Sequence, residues 1–157
     1  MFETIIVPLD GSELSETALP AAQELQQKFG SKLILVRAVE PETQRMVATP
    51  GFFDTPASAA ANVEIAQQIT EQEEDEATTY LKEVTARLGS TNIEALIVSD
   101  DPADAVVNIA KERNASLIVM SSRGRSGLSR LVFGSVAQAV LQNSNVPVLL
   151  VKRSDDD

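Results

Sequence analysis

Five short apolar runs limit what this chain can fold into: residues 4–9 (TIIVPL), 32–39 (KLILVRAV), 92–99 (NIEALIVS), 115–121 (ASLIVMS) and 147–152 (PVLLVK). Each has the length of a strand and is dominated by Ile, Val, Leu or Ala, the pattern of a strand covered on both faces. Between them the period changes. Leu14, Ala18, Ala21, Ala22, Leu25 and Phe29 recur at helical spacing, Gly30 supplies the stop, and Pro20 predicts a bend in that helix. A second helix is expected up to Leu88, with Ala77, Leu81, Val84 and Leu88 on one face and Gly89 as its end. A third starts at Asp101-Pro102, turns Ala105, Val106, Ile109 and Ala110 inward and ends at Asn114; a fourth covers residues 134–142. Strand and helix alternating over the whole length predict an α/β fold, an open parallel sheet with helices on both faces, and right-handed crossovers.

The 157 residues fit one domain, expected over residues 1–153. Residues 40–61 break the pattern with Pro41, Pro50, Pro56 and Gly51 and read as a flexible connection, tacked to the body or a partner by Phe52 and Phe53. Residues 154–157 read as a disordered acidic tail. With 23 acids against 13 bases, the net charge of −10 opposes binding to nucleic acid or to an anionic membrane face. There is no Cys and no His, which removes disulfides, thiolate and imidazole metal sites, and Ser-His or Cys-His nucleophiles. No run approaches the ~20 apolar residues of a membrane span, and the start carries no signal-like segment, so a cytoplasmic protein is expected. The acidic cluster at Glu71, Glu73, Glu74, Asp75 and Glu76 reads as a solvated helix face, because it lacks the alternating spacing of a calcium loop.

Charge singles out one region. From residue 113 to residue 154 there is no Asp or Glu, while Arg113, Arg123, Arg125, Arg130, Lys152 and Arg153 all lie there. Within it a strand is followed by a Gly- and Ser-rich loop and then, at Gly134-Ser135, by a helix start, an order that gathers backbone amides around phosphate. In a parallel sheet, ligands sit beyond the carboxyl ends of the strands where the order reverses. Only the loop at 8–12 and the loop at 121–135 look specialised at those ends. If their strands are neighbours, the two loops share a crevice. Asp10 then has two readings: a turn or capping residue beside Gly11, or a carboxylate for ribose hydroxyls or a divalent ion. Arg123, Arg125 and Arg130 are candidate phosphate partners. Neither G-x-G-x-x-G nor Gly-Lys-Ser/Thr occurs, and no catalytic set is evident; a hydrolase would have to rely on Asp10, a serine and a metal ion. Residues 146–151 are apolar throughout and lie at an expected sheet edge, which a second copy would cover.

These residues also carry a resemblance. Gly124, nine residues and then Gly134-Ser135, after a strand ending near Met120, is similar to the G-x2-G-x9-G-[ST] nucleotide-binding signature of the universal stress protein family. Val7-Pro-Leu-Asp-Gly-Ser12 and Asn145-Val-Pro-Val-Leu-Leu-Val-Lys152 resemble that family's two ends, so nearly the whole chain is covered. The resemblance implies five strands in the order 3-2-1-4-5, a homodimer paired through the strand at 147–152, and ATP between the first and fourth strands with Mg²⁺ or Mn²⁺ at the phosphates. By position it implies Pro8 and Ala38 beside adenine, Asp10 on the ribose and metal side, Met120 and Ser121 along the ribose, and Gly124, Gly134, Ser135 and Val136 at the phosphates. One position departs from the pattern: Ser121 stands where the signature has its first glycine. Its side chain adds bulk on the sugar side while its hydroxyl can bond ribose or phosphate. The expectation is thus a regulatory or stress-response protein that binds ATP, with AMP, ADP or a cyclic nucleotide, a slow metal-dependent ATPase, or a partner-binding module with a vestigial pocket as alternatives.

Overall fold

The computed structural model describes residues 1–47, 49–50, 55–123 and 133–153. Five strands, β1 (Thr4–Pro8), β2 (Lys32–Ala38), β3 (Ile93–Val98), β4 (Leu117–Ser121) and β5 (Val148–Val151), form one sheet in the order β3-β2-β1-β4-β5. Every pairing is parallel, with Ile6 opposite Ile34 on one side and Ile118 on the other, and Met120 opposite Leu150. Because side chains alternate along a strand, the sheet sends two apolar sets to opposite faces. Ile5, Val7, Leu33, Leu35, Leu117 and Val119 pack under Ala18, Leu19, Ala22, Leu81 and Val84. Ile6, Ile34, Val36, Ile118 and Met120 pack under Ala103, Val106, Ile109, Ala137 and Val140. The central strands are buried on both faces, which is why they read as apolar runs rather than alternating ones.

The helices show what the sequence pattern determines and what it does not. The bent helix expected around Pro20 is two helices, α1 (Glu13–Glu16) and α2 (Leu19–Phe29), with Pro20 in the first turn of the second. Proline has no N–H to donate to Glu16, so the chain instead tightens through Thr17 N–H to Leu14 C=O and Ala18 N–H to Ser15 C=O, both 3.3 Å, and restarts. Gly30 and Gly89 close α2 and the long helix in the left-handed conformation, and Asn114 has φ 48°, as expected. Phe29, expected inside, is 46% exposed and meets the ring of Phe2 edge-on at 5.3 Å.

The connection at 40–61 is largely helical where it is described. α3 (Glu42–Val47) is followed by α4 (Pro56–Leu88), 33 residues long. Thr55 and Ser58 form a reciprocal capping box, with Ser58 N–H to Thr55 Oγ1 at 3.1 Å, and Pro56 occupies the first turn. Hydrophobic periodicity is faint there for a physical reason. At 1.5 Å per residue α4 is roughly 50 Å long and overshoots the sheet, so its first half packs on α3 rather than on a core. Glu42 N–H donates to Thr70 Oγ1 (3.0 Å), and Arg45 bridges Glu42 and Glu73. Glu71, Asp75 and Glu76 are exposed, in keeping with a solvated face, whereas Glu73 is drawn into the Arg45 pair. Phe52, Phe53 and residues 154–157 lie outside the described residues. Among the described residues no helix is long and apolar enough to cross a membrane.

α5 (Pro102–Glu112) begins on Asp101, whose Oδ1 accepts from Ala103 N–H (3.0 Å) and Asp104 N–H (3.2 Å). α6 (Ser135–Asn143) begins on Gly134, which contributes no capping side chain. Both start at the carboxyl end of the sheet, on the same face.

Candidate functional site

The strand order reverses between β1 and β4, so the loops leaving those strands diverge and leave a crevice. It measures about 280 Å³. Its walls are Pro8, Leu9 and Asp10 after β1, Val36, Arg37 and Ala38 at the end of β2, and Met120 and Ser121 at the end of β4. Pro102 and Val106 of α5, Ser15 of α1, and Gly134 with the first turn of α6 complete it. Of the residues named from sequence, Pro8, Asp10, Ala38, Met120, Ser121, Gly134, Ser135 and Val136 are thus brought together. Arg123 is described but is not part of the wall. Gly124, Gly127, Arg125 and Arg130 lie outside the described residues.

On the β1 side the loop is internally bonded. Gly11, at φ 84°, takes the left-handed conformation that the turn requires. Asp10 Oδ1 accepts from the Ser12 N–H (2.8 Å) and from the Ser12 hydroxyl, and Ser12 Oγ caps α1 by accepting from Ser15 N–H (3.1 Å). Ser15 Oγ returns to Ser12 C=O (2.9 Å) and accepts from Asp10 N–H (3.2 Å). The turn reading of Asp10 is therefore met: its carboxylate is fixed in the wall by the loop it organises. Behind it, the Tyr80 phenol of α4 donates to Glu16 Oε1 (2.9 Å), and Arg87 holds Glu16 Oε2 (2.7 Å). Burial, then the bond to Glu16 and its charge, raise the Tyr80 pKa above its ordinary value, so the phenol remains a donor.

On the β4 side, Ser122 N–H continues the sheet to Val151 C=O (2.9 Å), while Ser122 C=O accepts from Gly134 N–H (2.8 Å). That bond brings the two ends of the loop together and seats the start of α6 beside β4. It also engages the Gly134 amide, which the sequence had assigned to phosphate. The first intrahelical bond runs from Gln138 N–H to Gly134 C=O (3.0 Å), so the amides of Ser135, Val136 and Ala137 are the first-turn donors of α6. All three residues line the crevice. The Ser121 hydroxyl, 8% exposed as a residue, donates to Arg123 C=O and is drawn toward the loop.

The β2 side carries a donor and an acceptor. Leu9 N–H bonds Val36 C=O (2.9 Å) and Val39 N–H bonds Val98 C=O (2.8 Å), so by alternation along the strand the polar groups of Ala38 face the β1 side. β1 itself ends at Pro8, and those groups therefore point into the crevice. Arg37 Nη1 donates to the Ala38 carbonyl at 3.2 Å. Sequence reasoning missed Ser15, Arg37, Pro102 and Val106 in the wall. Ser12 and Ser15 had a local signal, two hydroxyls at capping spacing beside Asp10; Arg37, Pro102 and Val106 arrive from remote segments and had none.

The universal stress protein family model matches residues 1–152. Universal stress protein MJ0531 of Methanocaldococcus jannaschii is 29% identical over 153 residues, 98% of this chain and 84% of that protein. Among solved structures, MJ0577 of the same organism superposes with a TM-score of 0.73 at 26% identity, covering 99% of both chains. A universal stress protein solved in complex with cAMP gives 0.59 at 27% identity, covering 98% of both. The match over nearly the whole length, with the sheet order and the crevice at its reversal, establishes that the chain belongs to the universal stress protein family.

Proposed function

We propose that this protein is a regulatory module that binds an adenine nucleotide, ATP first, in the crevice between β1 and β4. The observation that carries this reading is the polarity of the crevice. One end offers the first-turn amides of α6, three donors at the positive end of a helix. The opposite end is walled by Val36, Pro102 and Val106, with Arg37 at its margin, and holds the donor and acceptor of Ala38. A purine fits that end, where the Ala38 N–H and C=O complement the N1 acceptor and 6-amino donor of adenine. The phosphates fit α6, with Gly124 and Arg123 as further proposed contacts, and Pro8, Asp10, Met120 and Ser121 flank the ribose between.

Among the described residues no group of three or more His, Cys, Asp or Glu is placed to hold a metal ion. A Mg²⁺ or Mn²⁺ ion in this reading is carried by the phosphate oxygens, with Asp10 the carboxylate nearest to it. A second reading, a monophosphate or cyclic nucleotide, is favoured by the relative solved with cAMP, since the same amides receive one phosphate as readily as three. We further propose that residues 1–153 act as one domain and that two copies pair through β5. That strand forms a sheet edge, with Leu149 41% exposed.

Isothermal titration with ATP, ADP, AMP and cAMP, each with magnesium, tests the site. Saturable heat with at least one is expected, and its rank order decides between the two readings. Absence of heat with all four at millimolar concentration contradicts both.

A further inference from the structure

Arg37 is the one cation among the described residues lining the crevice, and it stands at the base end. It also lines a neighbouring cleft of about 420 Å³, walled by Glu40, Glu73, Glu76 and Tyr80. Arg45 lines that cleft too and pairs Glu73 at 2.6 Å, so Glu40 and Glu76 are the carboxylates that favour a guanidinium at the junction of the two clefts. From there its Nη1 reaches the Ala38 carbonyl at 3.2 Å. That carbonyl is the acceptor a 6-aminopurine needs. A 6-oxopurine presents the reverse edge, an acceptor at position 6 and a donor at N1, which the Ala38 pair alone would reject.

Arg37 changes the balance. A guanidinium carries five donors and no acceptor, so it brings N–H groups to the place where the 6-substituent lies. There it competes with an amino group for the Ala38 oxygen and donates to an oxo group, while the N1 proton of an oxopurine still meets the Ala38 N–H. We propose that Arg37 is a selectivity residue which narrows the preference of this pocket for adenine over 6-oxopurine nucleotides. The proposal rests on the nucleotide reading above and adds the class of base that the site accepts.

The test uses ATP and ITP, which differ at position 6 and in the N1 proton but share ribose and triphosphate. Dissociation constants are measured on the full chain as wild type, Arg37→Met and Arg37→Gln, with melting curves for each. Methionine keeps the length and removes every donor; glutamine keeps a shorter donor and serves if the methionine variant fails to fold. In the wild type, ITP is expected to bind more weakly than ATP but within about a hundredfold, since the N1 proton still meets the Ala38 N–H. The ATP:ITP preference is expected to rise about tenfold in Arg37→Met, mainly through lost ITP affinity, and by less in Arg37→Gln. An unchanged ratio in a folded variant that still binds both nucleotides overturns the role of Arg37 and leaves the nucleotide reading intact. A wild type that binds ATP but rejects ITP more than a hundredfold does the same. Binding of neither nucleotide overturns both.

Discussion

Ser135 is the residue at which the account can be tested with least disturbance to the fold. It is the first helical residue of α6, where an amide has no intrahelical acceptor and proline is well tolerated. The residue before it, Gly134, has φ −59° and ψ 154°, the extended conformation that a following proline requires. Ser135→Pro therefore deletes the amide donor together with the Ser135 hydroxyl, and Ser135→Ala, which removes the hydroxyl alone, is the reference from which the amide's share is read. A melting temperature within a few degrees of wild type and a nucleotide dissociation constant five- to tenfold weaker than that of Ser135→Ala are expected, about 1 kcal/mol for the one amide bond lost between those two variants. Differential scanning fluorimetry and calorimetric titration measure the two. At this scale the sequence was legible where a local pattern carried the geometry: Gly30, Gly89, Asn114 and the Asp101 cap take the conformations their types favour. It was silent on the bond made by Gly134, which lines the crevice as expected. The signature marks that glycine, but its amide bonds Ser122 and the donors are those that follow; only the partner, twelve residues earlier in the chain, reveals this.

Among the elements, α4 relates least obviously to the site, yet it fixes the β1 loop from behind. Tyr80 and Arg87 together hold Glu16 of α1, and Ser15, the preceding residue, lines the crevice. Tyr80→Phe removes one of these bonds while Arg87 keeps Glu16 paired. A loss of about 1 kcal/mol in unfolding free energy is expected by urea denaturation at pH 7. The pH dependence has a definite sign. The Tyr80 pKa is raised in the fold, so its contribution is complete below the unfolded phenol value of about 10 and is lost as pH climbs above it. The difference between wild type and Tyr80→Phe should therefore hold up to about pH 10 and shrink above it, and a difference that grows above that pH would contradict the assignment. α4 also shows why helix limits were hard to read. Its core-facing half, with Ala77, Leu81 and Val84, has a clear stripe, whereas the half that packs on the short α3 is rich in small residues and has none. α1 and α2 were merged for the complementary reason: apolar spacing continues across Thr17 and Ala18, and only the missing N–H of Pro20 separates them.

For the molecule as a whole, the alternation of buried strands and helices was enough to give a parallel α/β sheet, and the resemblance of its motifs gave the strand order. The crevice followed because β1 and β4 are neighbours across the reversal, which brings Asp10 and Ser121 into one wall although 110 intervening residues separate them in sequence. The β2 side of the crevice was less legible, since Arg37, Pro102 and Val106 meet there only through the tertiary fold. Assembly is a prediction at this scale. β5 presents an apolar edge with Leu149 41% exposed, and Leu141 of α6 is exposed to the same degree. Light scattering should give a dimer mass for the wild type and a monomer or insoluble protein for Leu149→Glu; a soluble dimer in the variant would refute pairing through β5. The central claim is that nucleotide spans the crevice from Ala38 to the first turn of α6. Backbone amide chemical shifts of ¹⁵N-labelled protein titrated with Mg-ATP test it most directly. The account predicts the largest changes at Ala38, Ser121, Ser135, Val136 and Ala137. Changes confined to other surfaces, or none at saturating nucleotide, would contradict it.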